Sequence, residues 1–319
     1  MNRDEKIFCT LLTAITCCFA LNCWNGYGQE APNDYWPVGV IARYDEHGAG
    51  IELDRALTLD IDAVQIKTPF PEHRSPQDAE NILKKVTDAG KRITSMQGGF
   101  TGESYKTIPL VAETVGLVPE STRAERMEQL RDFCHFAKKL NLNIVCFHFG
   151  VVPHDRNSAE WKNLVQTMRD VCDIAAQSSE SVHLETGQET AESLLAFIEE
   201  VDRDNLFINF DPANMILYGC GDPIEALKKV GKYVKSVHCK DAKWAQNKGS
   251  QWGEEVPFGE GDVNAELFFQ ALAAINFKGA LIIERENRND SERQFHDAAT
   301  GVELVKKLKE KYLLKQEKD

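Results

Sequence analysis

Residues 181–212 read SVHLETGQETAESLLAFIEEVDRDNLFINFDP and contain the repeating unit that decides the fold. Two short β-rich runs, VHLETG (182–187) and LFINFDP (206–212), both end in polar residues, and an amphipathic helical stretch separates them. A strand, a helix and a second strand in this order predict two parallel strands joined by a crossover helix.

The same alternation extends along the chain in both directions. The other β-rich runs are VGVIARYD (38–45), DAVQIKTP (62–69), RITSMQGG (92–99), NIVCFHFG (143–150), KSVHCKD (235–241) and ALIIERE (280–286). Amphipathic stretches lie between them, with apolar side chains every three or four residues. Ser75, Ser158 and Asp222 are predicted helix starts, because their side chains can accept hydrogen bonds from the first turn.

Eight strands alternating with eight helices predict an α/β fold, a single closed (β/α)8 TIM barrel over residues 29–319. The alternative is an open, doubly wound parallel sheet. It is disfavoured because no glycine-rich dinucleotide-binding turn follows the first strand. No linker and no internal repeat divides the chain.

Composition excludes two classes of partner. The chain has 319 residues, with 37 Lys and Arg against 50 Asp and Glu, and a formal charge of −13. The phosphate backbone of a nucleic acid and an anionic membrane surface both repel such a protein. A hydrophobic fraction of 42% is ordinary for a globular chain and argues against disorder.

The first 28 residues are predicted to be a signal peptide. Residues 7–21, IFCTLLTAITCCFAL, match a signal-peptide core in length and are too few to span a bilayer. Small residues at Gly26 and Gly28 predict cleavage after Gly28. The mature chain would be periplasmic or secreted and free of the membrane. The alternatives are a buried N-terminal helix and lipoprotein anchoring through Cys23, for which the preceding Asn22 is a poor residue.

Four consecutive predicted strands end in residue types that bind metals: Glu185, Asp211, His238 and Glu284. Side chains two apart on a strand share a face, and this parity directs all four toward the inside of the barrel. Any one of them alone could be an ion-paired core residue. Together they predict a site for a divalent cation, and oxygen-rich ligation favours Mn²⁺, with Mg²⁺, Co²⁺ or Zn²⁺ as alternatives.

Four more polar residues are candidates for contact with a substrate. His148 and Lys240 share the inward parity of their strands. Lys240 could neutralise a developing oxyanion or pair with a neighbouring carboxylate. Gln188 and Asn214 follow two of the ligand-bearing strands, where they could bind sugar hydroxyls or cap turns.

A set of motifs carries a resemblance to a known family. They are HLETGQE (183–189), NFDPANM (209–215), SVHCKDA (236–242), FGEGDV (258–263) and LIIERE (281–286). In this order and at strand ends, they resemble the xylose-isomerase-like barrels, which include the sugar phosphate isomerases and epimerases, over roughly residues 36–312. The resemblance implies that Glu185, Asp211, His238 and Glu284 bind the catalytic metal. It also implies that Glu185 and Glu284 form the acid/base pair.

One departure from the family pattern concerns the substrate. Several members have histidine three residues after the aspartate, where this chain has Asn214. Substrate identity is therefore not carried over from the family. The phosphate in the family label is not carried over either, because an exported protein rarely meets sugar phosphates and no phosphate-binding loop is evident.

These residues predict an isomerase or epimerase that abstracts a proton next to a metal-bound carbonyl and passes through an enediolate. The alternative is an exported lyase or hydratase acting on keto-sugars or 3-keto-glycosides, with a sugar-binding module in third place. A DNA-repair endonuclease on the same barrel would need a basic rim, which the charge opposes. The expected partner is a small carbohydrate, and assembly into a homo-oligomer stays open.

Overall fold

The computed structural model describes residues 35–46, 50–287 and 289–314. Its strands, in chain order, are β1 (Val38–Arg43), β2 (Ile51–Glu52), β3 (Ala63–Lys67), β4 (Arg92–Gln97), β5 (Ile144–Phe147), β6 (Ser181–Glu185), β7 (Leu206–Phe210), β8 (Val234–Cys239), β9 (Asp241–Lys243), β10 (Glu254–Val256) and β11 (Ala280–Ile283). Eight of the described strands are parallel neighbours in the order β1-β3-β4-β5-β6-β7-β8-β11, and β11 pairs with β1. This closed barrel confirms the predicted fold.

Helices surround the barrel. They are α1 (Leu53–Ala56), α2 (Pro76–Asp88), α3 (Ile108–Thr114), α4 (Glu120–Lys139), α5 (Ala159–Gln177), α6 (Ala191–Val201), α7 (Pro212–Tyr218), α8 (Pro223–Val230), α9 (Ala265–Ala274) and α10 (Ser291–Leu308). The predicted starts at Ser75, Ser158 and Asp222 are confirmed, since each side chain accepts a hydrogen bond from a first-turn backbone N–H. None of the described helices combines the length and the apolar character that a membrane crossing needs.

The two faces of the barrel wall differ in polarity. Outward-facing side chains pack against the helices, as where Phe210 of β7 stacks on Phe268 of α9 with ring centroids 6.3 Å apart. The opposite face carries buried polar residues: Gln65, Ser95, Gln97, His183, Asn209, Ser236 and His238. Burying polar groups is costly unless they are bonded, so this polar interior indicates a built site rather than a packing core.

The structure also shows what lies at the carboxyl ends of the strands. The predicted β-rich runs continue two or three residues past the ladder, because the chain turns there into loops. The helix α7 begins at Pro212, directly after Asp211, and β9 pairs with β10 as an antiparallel hairpin. These elements surround the barrel mouth at which the candidate site residues lie.

Candidate metal centre

Glu185, Asp211, His238 and Glu284 lie at the carboxyl ends of four neighbouring barrel strands. Glu185 is the last residue of β6, and His238 is the last but one of β8. Asp211 and Glu284 directly follow β7 and β11. Parallel pairing brings these ends to one level, so the four side chains point into the same part of the barrel.

The four side chains form one buried cluster. One ligand atom from each lies within 4.8 Å of the others, and no residue of the four is more than 5% exposed. His238 Nδ1 is 3.2 Å from Glu185 Oε1 and 2.9 Å from Glu284 Oε2. The same nitrogen is 3.7 Å from Asp211 Oδ2.

Three of the atoms that face one another in the cluster lack hydrogen bonds within the described residues. They are Asp211 Oδ2, His238 Nδ1 and Glu284 Oε2. Leaving a buried polar atom without a partner costs about 1–3 kcal/mol. Three such atoms that face one another fit a bound divalent cation, which would satisfy all of them together.

Hydrogen bonds orient the imidazole of His238. Its Nε2 lies 2.9 Å from Gln65 Oε1, an oxygen that can only accept a hydrogen bond. Gln65 is held in turn by its Nε2, which donates to Ser95 Oγ at 2.8 Å. Asn209 Nδ2 lies 3.0 Å from the same Nε2. Both contacts hold the ring so that Nδ1 faces the cluster, and a metal ion there would bind the imidazole through that nitrogen.

The start of α7 orients Asp211. Its Oδ1 accepts hydrogen bonds from the backbone N–H groups of Ala213 at 2.8 Å and Asn214 at 3.0 Å. Pro212 occupies the first helical position, where a missing N–H costs nothing. Asp211 therefore caps the helix with one oxygen and presents the other to the cluster.

Three side chains hold the carboxylate of Glu185. Asn214 Nδ2 donates to Oε1 at 3.1 Å, and Gln97 Nε2 donates to Oε2. His148 Nε2 lies 3.4 Å from Oε2. The predicted site residues His148 and Asn214 thus lie beside the cluster, and the contacts fix the direction of the Glu185 carboxylate.

Lys240 is buried on the side of the cluster formed by Asp211 and Glu284. Its Nζ lies 3.8 Å from Asp211 Oδ2 and 3.4 Å from Glu284 Oε2. Nζ also donates to Asn214 Oδ1 at 3.3 Å and to Glu286 Oε1 at 2.6 Å. Both roles considered for this lysine are therefore compatible with its position, since it pairs with carboxylates and borders the centre.

The electrostatic field of the cluster favours positive charge. Burial alone would lower the pKa of His238, but the carboxylates of Glu284 and Glu185 raise it well above its ordinary value. Burial likewise opposes ionisation of Glu284, yet Lys240 and His238 lower its pKa to about 2. Since the same field acts on any cation, its sign supports the metal-binding interpretation.

Aromatic side chains surround the mouth of the site. The ring of Tyr105, from the loop after β4, lies 6.0 Å from that of His148. Tyr218 and Trp252 make an edge contact at 4.7 Å. Gln188, a predicted substrate contact, donates to the Tyr218 hydroxyl at 3.3 Å. We refer to Tyr105, Tyr218, Trp252 and Gln188 as the outer wall of the site.

Sequence reasoning missed Gln65 and Gln97, which contact cluster side chains, and Glu286, which pairs with Lys240. Gln65 and Gln97 had a detectable signal, because each is a polar residue of inward parity in an apolar strand. Glu286 had a signal as well, because it lies two residues after Glu284 and shares its parity.

Comparison with known proteins agrees with this fold. The family model for xylose isomerase-like TIM barrels matches residues 53–308, and the chain belongs to that family. A solved structure of a xylose isomerase domain protein from Planctomyces limnophilus is 45% identical, with a TM-score of 0.84. The similarity covers 87% of this chain and 99% of that one.

Two further similar proteins have names that describe their reactions. An inosose dehydratase from Clostridium botulinum (strain Eklund 17B / Type B) is 27% identical over 168 residues, which are 48% of this chain and 56% of that protein. The chain thus spans about half the length of this curated relative. A D-psicose 3-epimerase from Clostridium cellulolyticum H10, solved with D-tagatose, has a TM-score of 0.63 at 15% identity, covering 85% and 99% of the two chains. At that identity the likeness shows the fold alone.

Proposed function

We propose that this protein is a divalent-metal-dependent enzyme that moves a proton at the carbon next to a carbohydrate carbonyl, as an epimerase or isomerase. One observation carries the proposal. The carboxylates of Glu185 and Glu284 enter a single buried cluster from strands three positions apart in the barrel, with Asp211 and His238 between them. Two carboxylates on different sides of one centre are what proton removal and return require.

Glu185, Asp211, His238 and Glu284 would hold the cation, with Mn²⁺ favoured by their oxygen-rich set. When bound, it would polarise the substrate carbonyl and acidify the adjacent C–H. Glu185 and Glu284 are the proposed bases. Burial raises the pKa of Glu185, but His148, His238 and Lys240 outweigh it and keep the carboxylate ionised. A carboxylate in that state can accept the proton.

The residues around the two carboxylates have separate proposed tasks. Gln97 and Asn214 aim Glu185 through hydrogen bonds. The Lys240 ammonium would stabilise negative charge that develops on a substrate oxygen, because it already lies 3.4 Å from Glu284. The outer wall that includes Gln188 would contact the rest of the sugar. Return of the proton to the opposite face gives an epimer, and return to the neighbouring carbon gives an isomer.

A lyase is the second candidate, and two observations favour it. Curated relatives of this chain include inosose dehydratases. In addition, His148 lies beside Glu185 with its Nδ1 buried and lacking a hydrogen-bond partner among the described residues. An imidazole there could protonate a leaving hydroxyl on the carbon next to the one that loses its proton.

We further propose that the protein is exported and acts on carbohydrates without phosphate. The support is the apolar run at residues 7–21 and the small residues at Gly26 and Gly28. The predicted signal peptide, residues 1–28, lies outside the described residues. A small carbohydrate is the proposed partner.

The test is a screen of ketoses and 3-keto-glycosides with Mn²⁺ in D₂O, followed by NMR. We expect deuterium at the carbon next to the carbonyl of one substrate, together with an epimer or isomer. A dehydrated or eliminated product would replace the epimerase proposal with the lyase. Binding without exchange or product from any substrate would contradict both and leave a sugar-binding module.

A further inference from the structure

Lys240 is a buried ammonium between two groups of carboxylate oxygens. Its nearest partner is Glu286 Oε1 at 2.6 Å, on a side chain that is 39% exposed. On its buried side, Nζ lies 3.4 Å from Glu284 Oε2 and 3.8 Å from Asp211 Oδ2. We call Glu286 the outer partner of the ammonium, and Glu284 Oε2 and Asp211 Oδ2 its inner pair.

The inner pair belongs to the candidate metal centre. Glu284 Oε2 and Asp211 Oδ2 are two of the converging atoms that lack a hydrogen bond within the described residues. The Lys240 ammonium and a divalent cation would therefore be attracted to the same oxygens. Because like charges a few ångströms apart repel strongly in a buried site, the position of the ammonium must influence how tightly the centre binds a cation.

Glu286 is held in a fixed place beside Lys240. Its backbone N–H donates to Glu255 Oε1 at 2.9 Å. The same Glu255 oxygen pairs with Arg285 Nη1 at 3.0 Å, and Arg285 Nε pairs with Asp297 Oδ2 at 3.0 Å. This chain of contacts anchors the segment that follows β11 to the β9–β10 hairpin and to α10.

We propose that Glu286 is a positioning residue that holds the Lys240 ammonium on the outer side of the metal centre, so that the Glu286–Lys240 pair sets the affinity of the centre for its cation. The inference rests on the proposed metal-dependent function. With Glu286 as its outer partner, Lys240 keeps its charge near the substrate and leaves the inner oxygens to the cation. Without that partner, the ammonium would turn to Glu284 and Asp211 and compete with the cation.

The test is a double-mutant cycle measured by titration calorimetry of Mn²⁺ into the metal-stripped protein. Glu286→Gln keeps the size and one oxygen of the side chain but removes its charge. We expect it to weaken Mn²⁺ binding by about tenfold or more. In a Lys240→Met background, where no ammonium can compete, the same substitution should change the affinity by about twofold at most.

Glu254→Gln is the matched control, because Glu254 is an exposed carboxylate on the β9–β10 hairpin to which the Glu286 backbone is bonded. Its Mn²⁺ affinity should equal that of the wild type. Thermal unfolding of each metal-free variant checks that it is folded. Equal weakening by Glu286→Gln in both backgrounds would overturn the inference, because Glu286 would then act through its own charge and not through Lys240. Unchanged affinity in Glu286→Gln would also overturn it, whereas a wild type that binds no Mn²⁺ would overturn the proposed function as well.

Discussion

At the scale of single residues, the side chains of the centre are oriented by hydrogen bonds to the atoms that face away from it. Asp211 uses Oδ1 to cap α7, and His238 directs Nε2 at Gln65. Oδ2 of the aspartate and Nδ1 of the histidine then remain for the centre. Such supporting bonds fix the direction of a ligand side chain before the metal arrives.

The role of His238 gives a substrate-independent prediction. His238→Ala should weaken binding of Mn²⁺ by more than about 100-fold, because a lost ligand costs more than a lost supporting contact. Elemental analysis after dialysis against Mn²⁺ would measure the metal occupancy of the variant. His183→Ala is the control, since His183 is equally buried in the barrel but contacts Ser181 and Ser236. Full metal occupancy in His238→Ala would show that His238 is a core histidine.

The ligand types were readable from the sequence because each breaks the apolar pattern of its strand at the same relative position. The contacts that each of these side chains makes in the fold could not be predicted from the sequence. Whether Lys240 meets Glu284, Asp211 or Glu286 depends on how residues far apart in the sequence approach one another in the fold. Strand parity gives the face on which a side chain lies, but not its neighbours on that face.

At the scale of elements, the alternation of strands and helices predicted the barrel, while the loops at the barrel mouth were not predictable. The start of α7 at Pro212 and the β9–β10 hairpin lie in segments that have no simple period. These segments place Asn214 and Trp252 near the site. Sequence patterns therefore predicted the scaffold of the site and its ligands better than its outer wall.

The turn after β6 allows a test at this scale. Gly187 has φ +147°, and a Cβ there would lie 2.4 Å from the Cβ of Asn214. Gly187→Ala should therefore displace Asn214 from Glu185, lower activity and cost about 1–3 kcal/mol of stability. Gly90 is the control. It has φ +69° and no atom within 4 Å of the position that a Cβ would take, so Gly90→Ala should cost about 1 kcal/mol and leave activity unchanged.

Urea denaturation and turnover of both glycine variants would separate backbone strain from damage to the site. Similar loss of stability in both, with normal activity in Gly187→Ala, would mean that the contact between Gly187 and Asn214 does not position Glu185.

At the scale of the whole molecule, buried carboxyls with raised pKa values should make stability depend on pH, and Glu180 is one of them. Glu180 lies just before β6, at the amino-terminal end of the barrel, and is 2% exposed. Burial raises its pKa from 4.5 to about 8, against smaller opposing effects of Cys134 and Lys138. The folded protein therefore binds a proton that the unfolded chain releases between these values, and stability should fall as pH rises through that window.

Glu180→Gln should remove the part of this dependence that Glu180 contributes, while Glu189, whose pKa burial also raises to about 8, keeps its own part. Between pH 5 and pH 8, the wild type should lose roughly 3 kcal/mol of unfolding free energy relative to the variant. Chemical denaturation at both pH values measures the difference. Parallel pH profiles for the two proteins would show that Glu180 is ionised in the folded state.

The proposed export also concerns the whole chain. Protein isolated from its native cells should begin near Gln29, because cleavage is predicted after Gly28. Amino-terminal sequencing would measure this. A native protein that still begins at Met1 and retains residues 7–21 would contradict export by a cleaved signal peptide.

The central claim is that Glu185 and Glu284 move a proton at the carbon next to a substrate carbonyl. The most direct measurement is the kinetic isotope effect on single-turnover rates, using the substrate from the exchange screen deuterated at that carbon. We predict slower turnover of the deuterated substrate, and a loss of about 100-fold or more in Glu284→Gln, which keeps an oxygen ligand but cannot serve as the base. Equal rates for both isotopic forms under conditions where chemistry limits turnover, together with an active Glu284→Gln enzyme, would contradict the claim.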